Sequence, residues 1–144
     1  NYRSQTRGGV GLINIKTNDV SLARGGHPHP IHVNAFGRCA QVLTSGGLLG
    51  IFPDEDFSVT TLRMEPGDKL ILYSDGVENE IVSQRDSDRS EVEFTPFFRD
   101  AIRQPLSTFM TTMAARLDGA EGSLEPMDDV TILGIERRIA EPPS

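Results

Sequence analysis

The stretch Gly67-Asp68-Lys69-Leu70-Ile71-Leu72-Tyr73-Ser74-Asp75-Gly76-Val77 combines a turn, a short apolar segment and an acidic bend. Pro66, directly before this stretch, and Gly67 favour a turn, because Pro fixes φ and Gly adopts a positive φ at little cost. Residues 70–73 have the length and the aromatic and β-branched content of a buried strand. Gly76 lets the backbone turn sharply and lets another group approach closely. The stretch therefore predicts a carboxylate, that of Asp75, fixed at the end of a rigid strand.

An aspartate at a strand end has two interpretations, a metal ligand or an ordinary turn residue. The same choice applies to Asp128 and Asp129, which precede a second apolar strand at residues 130–136. If the two strands are antiparallel neighbours, the end of the first lies beside the start of the second, and the carboxylates converge at one rim. Mg²⁺ and Mn²⁺ prefer oxygen ligands and take a few carboxylates together with waters. The residues alone leave both interpretations open.

Composition limits the class of protein. The chain has 144 residues, of which 37% are hydrophobic and 24% charged, as expected for one globular domain. The net charge of −7 argues against binding to nucleic acid or to an anionic membrane surface. No apolar run is long enough to span a membrane. Cys39 is the single cysteine, so no disulfide framework exists, and a cytoplasmic location is expected.

The first two thirds of the chain predict a β meander. Turn residues separate short extended segments, and the last two of these, on either side of the Pro-Gly-Asp turn, are expected to form a hairpin. The polar residues 83–93 predict an exposed loop. The predicted strands before residue 70 are residues 8–15, 20–22, 31–33, 39–43 and 57–64.

Helical signals begin at residue 95. Thr95 followed by Pro predicts an N-cap and first helical position, and Pro105 predicts the start of a second helix. Gly119 is a candidate C-terminal stop. An apolar stripe at helical spacing predicts core packing by Leu106, Phe109, Met110, Met113, Ala114 and Leu117.

Other motifs for catalysis are weak. The prolines in His27-Pro28-His29-Pro30 exclude a helical metal-ligand pair, and no nearby Cys or Glu completes a zinc site. A role for His27 in ordering its loop is therefore favoured over metal ligation. The chain contains no Gly-x-Ser-x-Gly elbow and no phosphate-binding Gly-x-x-x-x-Gly-Lys-Ser/Thr loop.

Four motifs in order resemble the bacterial SpoIIE-type phosphatases of the metal-dependent phosphatase 2C-like superfamily. The resemblance covers residues 2–137 and implies an α+β fold, a two-layer antiparallel β-sandwich flanked by helices. It also implies hydrolysis of phosphoserine or phosphothreonine on a protein. The motifs are Gly26-His27-Pro28-His29-Pro30, Gly47-Leu48-Leu49-Gly50-Ile51-Phe52, the stretch from Pro66 to Val77, and Asp128-Asp129-Val130-Thr131-Ile132-Leu133.

The resemblance assigns roles to particular residues. It implies that Asp75 and Asp128 are metal ligands for Mn²⁺ or Mg²⁺, while Gly76, Asp129 and His27 lie at the rim of the site or behind the ligands. Two bridged metal ions would activate a water for in-line attack on the phosphoryl group. No covalent intermediate on a side chain is implied.

Two features depart from the family pattern. The N-terminal Gly-Asp motif, which contributes ligands that bridge the metals, is not found, so we expect residues 1–138 to be the C-terminal portion of such a domain and residues 139–144 a flexible tail. The two-metal centre is then incomplete, and the isolated chain is expected to be nearly inactive. Second, Asn79 occupies a position where relatives commonly have Glu, and Glu80 follows one place later.

The expected substrate is a phosphorylated regulatory protein of the anti-sigma-factor antagonist class, with a sensor or receiver domain attached upstream. A truncated sandwich would expose apolar sheet face, so a partner chain or a homodimer is also expected. The alternative is an inactive phosphatase-like module used for protein binding or dimerisation. A third reading is an unrelated β-rich binding domain.

Overall fold

The computed structural model describes residues 8–25, 28–43, 59–85, 92–120 and 130–139. His27, Asp128, Asp129 and the motif at residues 47–52 lie outside these ranges. Within them, no helix is long and apolar enough to cross a membrane. The elements are β1 (Gly8–Asn14), β2 (Asp19–Gly25), β3 (Ile31–Val33), β4 (Cys39–Gln41), β5 (Val59–Arg63), β6 (Lys69–Tyr73), a 3₁₀ turn (Asp75–Val77), α1 (Glu78–Ile81), β7 (Val82–Arg85), β8 (Val92–Phe94), α2 (Pro96–Ala101), α3 (Leu106–Ala120) and β9 (Ile132–Glu136).

Two antiparallel sheets pack face to face. One has the strand order β1-β2-β5 and the other has the order β4-β3-β6-β9. Alternation along the strands directs Val20 and Leu22 of the first sheet toward Leu70 of the second, and Met64 joins them in one buried cluster. Removing these side chains from water holds the two layers together.

The opposite face of the second sheet is covered by helices. Ile71 and Tyr73 point to this side and belong to one buried cluster with Phe98 of α2 and with Phe109 and Met113 of α3. The apolar stripe of α3 is therefore core packing, as predicted, although Ala114 is exposed. The expected α+β sandwich flanked by helices is confirmed.

The predicted hairpin of β5 and β6 is wrong. β5 pairs with β2 in the first sheet, whereas β6 lies between β3 and β9 in the second. Leu62 of β5 and Leu70 of β6 reach the same buried cluster from opposite layers. Gly67, whose φ is 88°, lies in the turn that carries the chain from the first sheet to the second. Its N–H donates to the Arg137 carbonyl at 2.7 Å.

The predicted loop at residues 83–93 is wrong at both ends. Val82–Arg85 and Val92–Phe94 form a two-stranded antiparallel ladder with an irregularity between Val82 and Gln84. Val82 and Phe94 are paired and buried, so the apolar residues that anchor this hairpin flank the polar segment. The polarity of the intervening residues concealed the strands.

Two glycines behave differently from the sequence prediction. Gly119 lies within α3 and does not end it, because the helix continues to Ala120. Gly76 lies in the 3₁₀ turn, and the glycines of positive φ in the described ranges are Gly37 and Gly67. The sharp bend after β6 is thus made by a helical turn and needs no left-handed residue.

Thr95 caps α2 as predicted. Its hydroxyl accepts a hydrogen bond from the Phe98 N–H at 3.1 Å and donates one to the Glu80 carbonyl at 2.6 Å, so it joins α2 to α1. We expect Thr95→Ala to lower the free energy of unfolding by about 1–2 kcal/mol, because both bonds are lost. Urea denaturation measures the change. Thr95→Ser should retain most of the stability, and equal losses in the two variants would contradict the capping role.

Candidate metal centre

The end of β6 lies beside the start of β9. Tyr73 pairs with Ile132 in the antiparallel ladder, and the ladder continues one residue further through side-chain and backbone bonds. The Ser74 N–H donates to the Thr131 carbonyl at 3.0 Å, and the Thr131 N–H donates to Ser74 Oγ at 2.9 Å. The neighbouring antiparallel strands expected from the sequence are therefore confirmed.

Asp75 opens the 3₁₀ turn directly after this junction. It is half-buried, as is Gly76, and the turn is closed by the Val77 N–H, which donates to the Ser74 carbonyl at 3.1 Å. Val77 is fully buried in the core beneath the helices. The backbone of Asp75 is thus held between a paired strand end and a buried anchor.

The residues after the turn fix it to α3. Arg116 Nε donates to the Glu80 carboxylate at 3.0 Å, and the Arg116 guanidinium lies 4.7 Å from the Phe97 ring centroid. Asn79 is exposed. Glu80 is therefore engaged in holding α1 against α3.

The start of β3 belongs to the same rim. Ile31 pairs with Ile71, and the Val42 N–H donates to the Pro30 carbonyl at 2.7 Å. His32 lies outside the rim, because its Nε2 is 2.8 Å from the Asp68 carboxylate before the start of β6. The placement of His27 stays a prediction.

The chemistry of Asp75 suits a hard divalent cation, since a carboxylate oxygen is the ligand that Mg²⁺ and Mn²⁺ prefer. Within the described ranges, no group of three or more His, Cys, Asp and Glu side chains is placed to hold a metal ion. Asp128 precedes Thr131 by three residues, which is a reach of at most about 10 Å of extended chain. A carboxylate is thus the type of ligand that fits the implied metals. Of the two implied ligands, Asp75 lies within the described residues and Asp128 lies outside them.

The Ser74–Thr131 pair was not identified from the sequence, because its two members are 57 residues apart. We expect Ser74→Ala to reduce stability by about 1 kcal/mol, since the Thr131 N–H loses its acceptor at the strand junction. Ser74→Thr keeps the hydroxyl and serves as the control. A thermal or urea unfolding curve of Ser74→Ala that coincides with wild type would contradict this role.

Solved structures of phosphatase 2C-like domains share this sandwich. The phosphatase domain of SpoIIE from Bacillus subtilis, presoaked with Mn, superposes with a TM-score of 0.64 at 16% identity, covering 96% of this chain and 60% of that one. RsbX in complex with magnesium gives a TM-score of 0.61 at 18% identity and covers 90% and 55%. The fold is therefore that of the phosphatase 2C-like domains.

The family model described as Stage II sporulation protein E (SpoIIE) matches residues 8–138, and the chain belongs to this family. A curated relative, Protein IcfG of Synechocystis sp. (strain ATCC 27184 / PCC 6803 / Kazusa), is 26% identical over 135 residues. That alignment covers 88% of this chain and 20% of IcfG. The chain thus spans 20% of this relative and 60% and 55% of the two solved domains above.

Proposed function

We propose that the chain is part of a metal-dependent protein phosphatase that acts on phosphoserine or phosphothreonine. The observation that supports this most is the junction of β6 and β9, which sets Asp75 beside the strand that follows Asp128 and Asp129. The membership of residues 8–138 in the SpoIIE family supports the same chemistry.

Asp75 and Asp128 are the proposed ligands of Mn²⁺ or Mg²⁺, with Gly76, Asp129 and His27 around them. Bound divalent ions would supply an activated water and offset negative charge on the phosphoryl oxygens. The Mn-presoaked SpoIIE domain and the magnesium complex of RsbX favour these two metals. The chain's own contribution is positional, since the Ser74–Thr131 pair and buried Val77 fix the backbone on both sides of Asp75.

The proposed unit is the C-terminal portion of a phosphatase 2C-like domain at residues 1–138, followed by a flexible tail at residues 139–144. Its proposed substrate is a phosphorylated regulatory protein of the anti-sigma-factor antagonist class in the cytoplasm, with a sensor or receiver domain in the same polypeptide. Of the implied ligands, the described ranges contain Asp75. Because the Gly-Asp motif that would contribute the bridging ligands is not found in the sequence, we propose low activity for these 144 residues alone.

Metal removal tests the proposal. The full-length protein is incubated with a phosphoserine peptide, first with Mn²⁺, then after chelation by EDTA, and finally after Mn²⁺ is restored. Release of inorganic phosphate should fall to the blank with EDTA and recover with Mn²⁺, because the bound ions would activate the attacking water. Hydrolysis that persists unchanged after chelation would exclude a metal-dependent phosphatase.

A second candidate function is a catalytically inactive module that binds protein. The observation that favours it is the outer face of the first sheet, where Leu12 and Val59 are 72% and 65% exposed and lie opposite the buried face. Sedimentation would show self-association through this face, and Leu12→Lys should reduce it. Association without any Mn²⁺-dependent hydrolysis would favour the module over the enzyme.

A further inference from the structure

A groove opens at the end of the second sheet opposite to Asp75. It has a volume of about 560 Å³ and lies between the β3–β4 turn, β8 and α2. Because β3 and β6 are antiparallel, this turn lies next to Lys69, at the start of β6, while Asp75 follows its end. The length of β6 separates the two regions by about 16 Å. The groove is lined by Asn34, Phe36, Gly37, Arg38, Cys39, Phe94, Arg99 and Arg103.

Three arginines give the groove a positive charge in a chain whose net charge is −7. Arg38, Arg99 and Arg103 are exposed, and none of them forms an ion pair with another described residue. Arg63 and Arg116, in contrast, are paired with Asp19 and Glu80. The three guanidinium groups of the groove are available to an external anion.

Contacts within the fold position Lys69 and Arg103. Lys69 is buried at the end of α2, where its Nζ donates to the carbonyls of Ile102 and Gln104 at 2.7 and 2.5 Å. Gly37, with φ of 83°, lies so close to Arg103 that an added Cβ would meet the Arg103 side chain at 3.2 Å. The Arg103 side chain therefore lies against the β3–β4 turn, while the residue remains exposed to an external anion.

The thiol of Cys39 lies in the groove wall and is affected by the charges around it. Burial raises the pKa of Cys39, and the positive charges of Arg99, Arg103 and Lys69 act in the opposite direction. These three cations come from two elements that are distant in sequence, and all are close enough to act on Cys39. The wall of the groove thus brings together cations that are distant in sequence.

We propose that this groove, lined by Arg38, Arg99, Arg103 and Phe36, docks an acidic peptide segment of a partner protein. Arg guanidinium groups bind carboxylates through paired, charge-assisted hydrogen bonds. The Phe36 ring is 92% exposed beside them and offers an apolar contact between the charges. Acidic side chains alternating with an apolar one complement this surface.

An extended acidic segment fits the arrangement better than a small anion. Arg99 and Arg103 are four residues apart, about one helical turn along α2 and its end, and Arg38 approaches from the β3–β4 turn. The three arginines line two walls of the groove, so carboxylates at successive positions of one peptide can pair with different guanidinium groups. The docking does not depend on Asp75 or on hydrolysis.

Fluorescence anisotropy with the full-length protein tests the docking. The probe is a fluorescein-labelled peptide with the core Glu-Asp-Leu-Asp-Glu, and the comparison peptide has the core Gln-Asn-Leu-Asn-Gln. Arg103→Glu should weaken binding of the acidic probe at least about tenfold, the size of one lost charge-assisted bond. Arg38→Gln combined with Arg99→Gln should do the same without reversing charge. Lys16→Glu, an exposed site on the β1–β2 turn with the same charge change as Arg103→Glu, should alter affinity less than about twofold.

Several outcomes would overturn the proposal. Equal weakening by Lys16→Glu would show attraction by net charge without a site, and equal affinity for the two peptides would remove the role of the carboxylates. No binding of the acidic probe up to about 1 mM would also overturn it. Binding of inorganic pyrophosphate, lost in Arg103→Glu, with no binding of the peptide would assign the groove to a small anion instead. Urea denaturation of each variant confirms that its fold is retained.

Discussion

Asp75→Asn is expected to lower Mn²⁺-dependent kcat/KM on a phosphoserine peptide by at least about 100-fold. The amide keeps the size of the side chain but removes the negative charge that a divalent ion requires. A hundredfold loss corresponds to about 2.7 kcal/mol of transition-state stabilisation. Steady-state kinetics of the full-length protein at saturating and limiting Mn²⁺ measures it.

Asp100→Asn is the matched control for this change. Asp100 is an exposed aspartate of α2, on the helix that covers the second sheet, and its replacement should leave kcat/KM within about twofold. Both variants should unfold at the same urea concentration as wild type. If Asp75→Asn is no less active than Asp100→Asn, Asp75 is a turn aspartate and the proposed ligand set is wrong.

Phe98→Ala is expected to reduce the free energy of unfolding by about 3–5 kcal/mol. Phe98 is fully buried between α2, α3 and the second sheet. Its ring centroid lies 5.9 Å from that of Phe109 in an edge-to-face arrangement and 5.7 Å from that of Phe94. The cavity that Phe98→Ala creates would therefore lie where α2, α3 and β8 meet. A loss of this size is a large fraction of the 5–15 kcal/mol that typically stabilises a domain.

Phe36→Ala removes the same side chain from an exposed position and serves as the control. It should change the free energy of unfolding by less than about 0.5 kcal/mol. Urea denaturation followed by circular dichroism gives both values, and the slopes show whether unfolding stays two-state. Similar values for the two variants would contradict the placement of Phe98 in the core.

Local signals in the sequence predicted local structure well. Thr95 followed by Pro marked the start of α2, and the extended segments predicted at residues 8–15 and 20–22 correspond to β1 and β2. These features depend on residues within a few positions of one another, so their chemistry is visible in a short window. The alternation of the strands predicted a β meander, and the two-layer sandwich was implied by the resemblance to the SpoIIE-type phosphatases.

Strand pairing was harder, because it depends on distant residues. Consecutive strands β5 and β6 favoured a hairpin, yet both carry apolar residues toward the same interior and belong to different sheets. The partner of β5 is β2, whose register sets Asp19 opposite Arg63 across 44 residues of sequence. No local turn signal encodes such a contact.

In the candidate site too, local features were predictable from the sequence and contacts between distant residues were not. The carboxylate at the end of β6 was predictable, because an apolar run followed by Ser-Asp-Gly places it there. The Ser74–Thr131 bonds and the Arg116–Glu80 pair were not, since each joins segments brought together by folding. The arginine groove was hidden for the same reason, because Arg38 is far in sequence from Arg99 and Arg103.

Mn²⁺ affinity in a double-mutant cycle tests most directly whether the ends of β6 and β9 form one metal centre. Isothermal titration calorimetry of the full-length protein compares wild type, Asp75→Asn, Asp128→Asn and the double variant. If both carboxylates hold the same ion, each single change should weaken Mn²⁺ binding at least about tenfold, and the double change should cost clearly less than the two losses combined. Strictly additive losses, or no loss in Asp128→Asn, would contradict a shared centre.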